Sequence, residues 1–459
     1  MDKRVIENIL NITLTQGADY GEIFFEENFS TEISLVGSEL ERGMSGKDFG
    51  VGIRIFKGLR SIYTYTNNLD EQNLYSMTNT AMKTINQATI HAQIILPDVK
   101  SIDYNKYKIL SHQKSLKEKL DIMKLADKAA MDYDKSVIQA TINYLDLNQD
   151  VIIANTEGVY VNENRQKTRM LMIVAAEHNG EIETGWTGPG AMKGLEFYDE
   201  IDVKKYAVDA ARVAVTMSKA DYCPAGEMAV VVDHGFGGLM FHEACGHSLE
   251  ASSVAKGHSE FSNKLGQKVA SDVLSYIDDG SLLNEWGSLG IDDEGVKTQK
   301  NILIENGVLK GYMIDRLNGK RMGMSPTGSS RRQSYRFAPT SRMTNTYIAN
   351  GTSKREEIIS NTEKGLLVTG ISAGSVNPST GDFNFSLSEA YLIDGGEITK
   401  PVKGASLIGK GGEILKNVDM VADNLKIGQG YCYAESGALF IGAGQPTIRV
   451  KNLTVGGRS

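Results

Sequence analysis

One recurring pattern constrains this fold more than any other feature of the chain: an amphipathic helix, then short β-prone runs broken by glycine, then another helix. Asp2 stands as an N-cap ahead of Val5, Ile6, Ile9 and Leu10, whose spacing places them on one helical face. Over residues 20–66 the pattern changes to runs rich in Ile, Phe, Val and Tyr, punctuated by Gly37, Gly43, Gly46, Gly50 and Gly58, as in an antiparallel meander. A second amphipathic stretch, residues 71–92, closes the unit. The order then returns, helical over 116–133, β-like over 137–185 and helical over 198–217. No short sequence repeat accompanies it, so two readings stand: a duplication of similar units that have drifted apart, over 1–110 and 111–220, or one continuous α+β domain.

A chain of 459 residues exceeds the size at which a single core stops growing, so more than one domain is expected. Pro224 and Gly226 break the helix that precedes them and mark the boundary. An N-terminal α+β domain, 1–220, is expected to precede a β-rich C-terminal domain, 221–459. In the latter, residues 228–232 read as a buried strand and 236–250 as a helix, with Asn306-Gly307 and Asp394-Gly395-Gly396 as hairpin turns. Forty-eight glycines against eight prolines suit such a β-rich, turn-rich half.

The formal net charge of -8 argues against an extended nucleic-acid surface, and the densest basic patch, Arg331, Arg332, Arg336 and Arg342, is read as loop anchoring or substrate contact. The N-terminus carries acidic residues where a signal peptide needs apolar ones, and no run approaches the ~18 apolar residues of a membrane span. Cys223, Cys245 and Cys432 form an odd, widely spaced set that suits a reducing compartment. A cytoplasmic protein without membrane or direct nucleic-acid partners is the expectation.

Residues 241–250 read Phe-His-Glu-Ala-Cys-Gly-His-Ser-Leu-Glu, so two of the seven histidines, His242 and His247, flank Glu243. On an ideal helix, residues five apart diverge by about 140°, and two such rings reach one ion only if the helix widens or ends between them. A π-bulge is the usual device, and Gly246 is expected to ease it. A catalytic zinc site typically takes three protein ligands and keeps a fourth position for water. Cys245, Glu250, Asp233, His234, His258 and Cys432 are all candidates for the third, and spacing does not choose between them.

The His-Glu-x-x-x-His motif followed by Cys432 near the C-terminus resembles the TldD side of the TldD/PmbA family of metallopeptidases, the "modulator of DNA gyrase" family. The likeness extends to Asn155-Thr156-Glu157-Gly158-Val159, Ser341-Arg342-Met343-Thr344-Asn345-Thr346, Asn377-Pro378-Ser379-Thr380-Gly381-Asp382-Phe383, Gly444-Gln445-Pro446-Thr447-Ile448-Arg449-Val450 and Asn452-Leu453-Thr454-Val455-Gly456-Gly457. It implies Zn2+ on His242, His247 and Cys432, with Glu243 as general base beside the activated water. Tyr433-Ala434-Glu435 departs from the more glycine-rich, basic stretch such a family member would carry there. The resemblance also implies a peptidase for short or unfolded peptides, enclosed in a homodimer or in a heterodimer with a PmbA/TldE-like paralogue. The family's association with gyrase suggests the alternative, a noncatalytic peptide-binding or regulatory subunit. A thiolate offsets part of the zinc charge, so this centre is expected to acidify water less than three histidines would, and Glu243 matters the more.

Overall fold

In the computed structural model, which describes residues 1–85, 93–104, 106–377 and 380–458, the chain opens with the helix Lys3–Thr15. The Asp2 carboxylate caps it by accepting the Arg4 N–H, and Val5, Ile6, Ile9 and Leu10 are all buried. The strands Tyr20–Val36, Glu39–Lys57 and Arg60–Thr66 follow as an antiparallel meander. The next helix, Glu71–Met82, ends sooner than expected; residues 86–92, with His91, lie outside the described residues, as do Pro378 and Ser379.

The same order of elements returns as the helix Leu116–Met131, the strands Val137–Asn155, Tyr160–His178 and Glu181–Thr187, and the helix Val203–Ser218. The stretch expected as one helix over 198–217 is split after the single turn Phe197–Glu200, because Asp202 caps the Lys205 N–H and starts a new helix. The two meanders join through their first strands: Tyr20–Val36 pairs antiparallel with Val137–Asn155, from Glu22 opposite Asn155 to Val36 opposite Thr141. One continuous sheet results. Its helices bury two apolar patches, Ile6, Ile9, Leu74 and Ile53 in one, Met123, Ala126, Ala210 and Met172 in the other.

The opposite face of this sheet meets the rest of the chain through buried ion pairs. Arg54 meets Glu294 at 2.5 Å, Arg165 meets Asp293 at 2.6 Å, and Arg332 meets Glu22 at 2.5 Å. The basic patch is thus largely an internal brace: Arg331 donates to the Met343 and Phe440 carbonyls, and Arg336 pairs with Asp48 at the surface. Desolvation offsets most of the attraction in such pairs, while loss of one partner would leave the other as an uncompensated buried charge.

Beyond residue 225, the strands Lys364–Val376, Gly226–Val232, Ile448–Gly456, Ser406–Lys410 and Asp382–Asp394 pair in that order, and the last pairs back to the first. The sheet therefore closes on itself around Val230, Val232, Leu366, Phe385, Leu407 and Val450. A third sheet runs Val308–Leu309, Lys300–Glu305, Tyr276–Asp279, Asn345–Ile348, Gly437–Gln445 and, at its edge, Lys426–Ala434. Both expected hairpin turns are present, with positive φ at Asn306 and Gly307 and at Gly395 and Gly396. The fold is mixed α+β with a β-rich C-terminal region, and no described helix is long and apolar enough to cross a membrane.

Candidate metal centre

The motif segment is wedged between the closed sheet and the third sheet. After Gly235, at φ 94°, the chain makes a 3-10 turn over Phe236–Gly238, an α-turn over Leu239–Phe241, a π-turn over His242–Gly246 and a 3-10 turn over His247–Leu249. Met240, Phe241, Ala244, Cys245 and Leu249 face the apolar core, which holds this irregular helix in place. A π-turn closes between residues five apart, the step that separates the histidines. Their ring centroids are 5.2 Å apart.

Gly246 serves a different purpose from the one its flexibility suggests. Its φ of -58° and ψ of -50° are ordinary right-handed values open to any residue. A Cβ there would lie 2.2 Å from the Met343 sulfur, so glycine is required by close approach rather than by backbone conformation. Gly235-Phe236-Gly237-Gly238 likewise forms a tight turn, in which a Cβ on Gly238 would sit 2.6 Å from the Gly444 backbone.

Outer partners orient both imidazoles. His242 Nδ1 lies 3.1 Å from the Thr346 hydroxyl and His247 Nδ1 lies 3.1 Å from Glu250 Oε2, which leaves each Nε2 as the lone-pair nitrogen when the Nδ1–H donates. The ring of His242 is fully buried, and its Nε2 has no hydrogen-bond partner among the described residues. Cys432 Sγ sits 3.2 Å from His247 Nε2, and one ligand atom from each of His242, His247 and Cys432 lies within 4.8 Å of the others. An unpaired buried nitrogen beside a second nitrogen and a sulfur is a donor set that fits a borderline cation such as Zn2+.

The other candidates for a third donor are engaged elsewhere. Cys245 points away toward the Gly411 carbonyl at 3.6 Å, and burial raises its thiol well above the usual range. Asp233 pairs with His234 and Arg355, and Glu250 is taken up by His247 and the Met343 N–H. His258 lines the cleft at the centre without joining the donor group. Of the remaining cysteine and histidines, Cys223 is buried, His112 stacks on Phe29, and His178 bonds Asn179.

Glu243 Oε2 is 3.7 Å from His247 Nε2, and the side chain borders a cleft of about 490 Å³. Burial raises its carboxyl above the ordinary value. Burial also drives His242 well below the usual imidazole range, helped by the charges of His247, Arg342 and Arg331. For His247 burial pulls the same way, yet the Glu250 carboxylate and the hydrogen bond to Cys432 carry it well above. The outer residues Thr346 and Arg342 have no signal in the motif itself, because they enter from a segment about a hundred positions on; Arg342 donates to the Cys432 sulfur at 3.1 Å and to its carbonyl at 2.9 Å.

Three family models match along the chain: the PmbA/TldA metallopeptidase domain 1 at residues 21–88, the central domain at 110–218 and the C-terminal domain at 225–457. A metalloprotease TldD homolog of Haemophilus influenzae is 35% identical, covering 100% of this chain and 97% of its own. One from Buchnera aphidicola of Acyrthosiphon pisum is 35% identical over 96% of this chain and 94% of its own. A more distant relative from Saccharolobus solfataricus, 24% identical over 96% of this chain and 97% of its own, is named a zinc metalloprotease TldD homolog. The crystal structure of TldE from Thermococcus kodakarensis shares the fold, at a TM-score of 0.77 and 20% identity over 98% of this chain and 99% of that one. The chain belongs to the PmbA/TldA metallopeptidase family.

Proposed function

We propose that the protein is a zinc-dependent peptidase of short or unfolded peptides, with the metal on His242, His247 and Cys432 and with Glu243 as general base. The observation that carries this reading is the convergence of two imidazole nitrogens and one sulfur within 4.8 Å, with a carboxylate 3.7 Å from one of them. Relatives named metalloproteases, one of them a zinc metalloprotease, support it. Zinc held there supplies positive charge that acidifies water and polarises a peptide carbonyl. Glu243 takes the proton of the attacking water on a carboxylate oxygen and passes it to the leaving amine, a role that suits a carboxyl whose proton affinity burial has raised.

The walls of the cleft suggest the substrate. Lys426–Ala434 is the edge strand of its sheet, and Lys364–Val376 pairs with Gly226–Val232 only through Val368, so its later residues keep one described strand partner. Both line the cleft, one through Tyr433 and Ala434 and the other through Ser375 and Val376. An extended chain lying along such edges is held by backbone hydrogen bonds, which gives broad sequence tolerance and excludes folded proteins. Enclosure of this cleft in a homodimer, or in a heterodimer with a PmbA/TldE-like paralogue, in the cytoplasm completes the proposal.

The test combines metal analysis with hydrolysis of an unstructured peptide mixture. Glu243→Ala is expected to keep zinc and lose hydrolysis, and Cys432→Ala to lose zinc. Cleavage at the wild-type rate by Glu243→Ala would refute Glu243 as the general base, whereas a zinc-loaded wild type that binds peptides without cleaving them would favour the noncatalytic, peptide-binding reading.

A further inference from the structure

We propose that Arg342 is a positioning residue that controls how strongly the Cys432 sulfur donates to the metal, and that Glu250 ties it to His247 so that the two arms of the centre are held as one. The inference rests on the metal-centre reading above.

Arg342 is 1% exposed. One end of its guanidinium donates to Cys432 Sγ at 3.1 Å and to the Cys432 carbonyl at 2.9 Å; the other donates to Ser436 Oγ at 2.9 Å and to the Gly437 carbonyl at 3.2 Å. The planar fork thus grips the sulfur and the turn that follows it together, which the point charge of a lysine cannot do. Arg342 Nε lies 3.8 Å from Glu250 Oε1, and Glu250 Oε2 meets His247 Nδ1 at 3.1 Å. Hydrogen bonds therefore run from His247 to Glu250 and from Arg342 to Cys432 behind two of the three donors, and the 3.8 Å ion pair between Glu250 and Arg342 joins them by charge without a hydrogen bond.

A buried guanidinium is a costly brace, since a neutral side chain of similar size would pack without desolvating a charge. The charge has a use at the sulfur. A charge-assisted hydrogen bond holds back part of the electron density that a thiolate gives to a cation, so the cation remains more electrophilic. This counters the weakness of a donor set with one thiolate, and it does so without altering the set.

The experiment loads the full chain with cobalt(II) and records the thiolate-to-cobalt charge-transfer band together with zinc affinity, in wild type, Arg342→Met and Arg342→Lys. Arg342→Met is expected to move the band to lower energy, because the sulfur then donates more strongly, and to weaken zinc binding about tenfold to hundredfold, because the fork no longer fixes the sulfur and its turn in place. Arg342→Lys is expected to recover part of the band shift and little of the affinity. A band at the wild-type energy in either folded variant, judged by circular dichroism, overturns the proposal and leaves Arg342 a brace. Should Arg342→Met fail to fold, Arg342→Lys decides alone, because one ammonium does not reproduce the fork. A wild-type protein without the band would sink the metal-centre reading itself, a result distinct from a band that is present and unmoved.

Discussion

Replacing Gly246 with alanine separates two explanations of that glycine by sign. If backbone conformation were the only consideration, alanine at φ -58° and ψ -50° would meet no penalty, and its better helix propensity would stabilise the protein by about 1 kcal/mol. Close approach predicts the reverse. The new methyl would lie 2.2 Å from Met343 Sδ and 3.0 Å from its Cε, and Met343 is 1% exposed with its N–H bonded to Glu250. Relief requires the sulfur to retreat about 1.2 Å, from 2.2 Å to an ordinary 3.4 Å contact, inside a closed core. Overpacking of this kind costs ~1–3 kcal/mol, and Met343→Ala alone is expected to cost ~2–5 kcal/mol through the cavity it leaves. The methyl then occupies vacated space in the double variant, which should be more stable than the sum of the single costs by about 1–3 kcal/mol. Urea unfolding of the four metal-free proteins measures the cycle. Stabilisation by Gly246→Ala, or additivity within about 0.5 kcal/mol, refutes the steric account.

Thr346→Val removes the Nδ1 partner of His242 while keeping the side-chain shape, so zinc affinity measured by competition with a chelator should fall about tenfold to hundredfold with an unfolding cost of only ~1 kcal/mol. Asp278 is fully buried and its carboxyl is pushed up to about 7, burial being the chief cause. Because the folded value exceeds the unfolded one, the native state holds the extra proton; stability from this group is complete below about pH 4 and is lost as the pH rises to about 7, at up to ~1.4 kcal/mol per pH unit. Asp278→Asn should flatten the stability profile by that slope between those limits, and parallel wild-type and variant profiles in urea titrations would contradict it. Gly238→Ala places a methyl 2.6 Å from the Gly444 backbone, which cannot yield as a side chain does, so a loss of about 3 kcal/mol or more is expected in the same assay.

The helices were legible where local signals agree. Asp2 with Val5, Ile6, Ile9 and Leu10 marks one. The pairing of strands was not, because register between Tyr20–Val36 and Val137–Asn155 is decided by contacts more than a hundred residues apart in the chain. The fate of the arginine patch was hidden for the same reason. Arg332 reaches Glu22 across 310 positions, and nothing near Arg332 in the sequence distinguishes a buried brace from an exposed contact. The split at Ile201 and Asp202 is a local signal overlooked: Asp202, three residues before Lys205, is a capping aspartate inside a stretch that otherwise reads as one helix.

The centre divides along the same line. A five-residue step between histidines demanded a widened turn, and the π-turn over His242–Gly246 follows from that demand because a regular helix would separate the rings. The third donor was undecided by spacing, yet the strand that carries Cys432, the donor proposed above, does hold a pattern. In Lys426–Ala434 alternate side chains face opposite ways, so Gly428, Gly430 and Cys432 share one face. A Cβ on Gly428 would lie 2.7 Å from Phe236, and one on Gly430 would lie 3.1 Å from the same ring. Two missing side chains on that face let an edge strand settle against the start of the motif segment, and the next residue on the same face is the cysteine whose sulfur lies 3.2 Å from His247. The glycines therefore set how closely the Cys432 sulfur approaches His247. A larger residue at either would lift the strand, and the sulfur with it, away from the imidazoles while leaving every donor in place in the sequence.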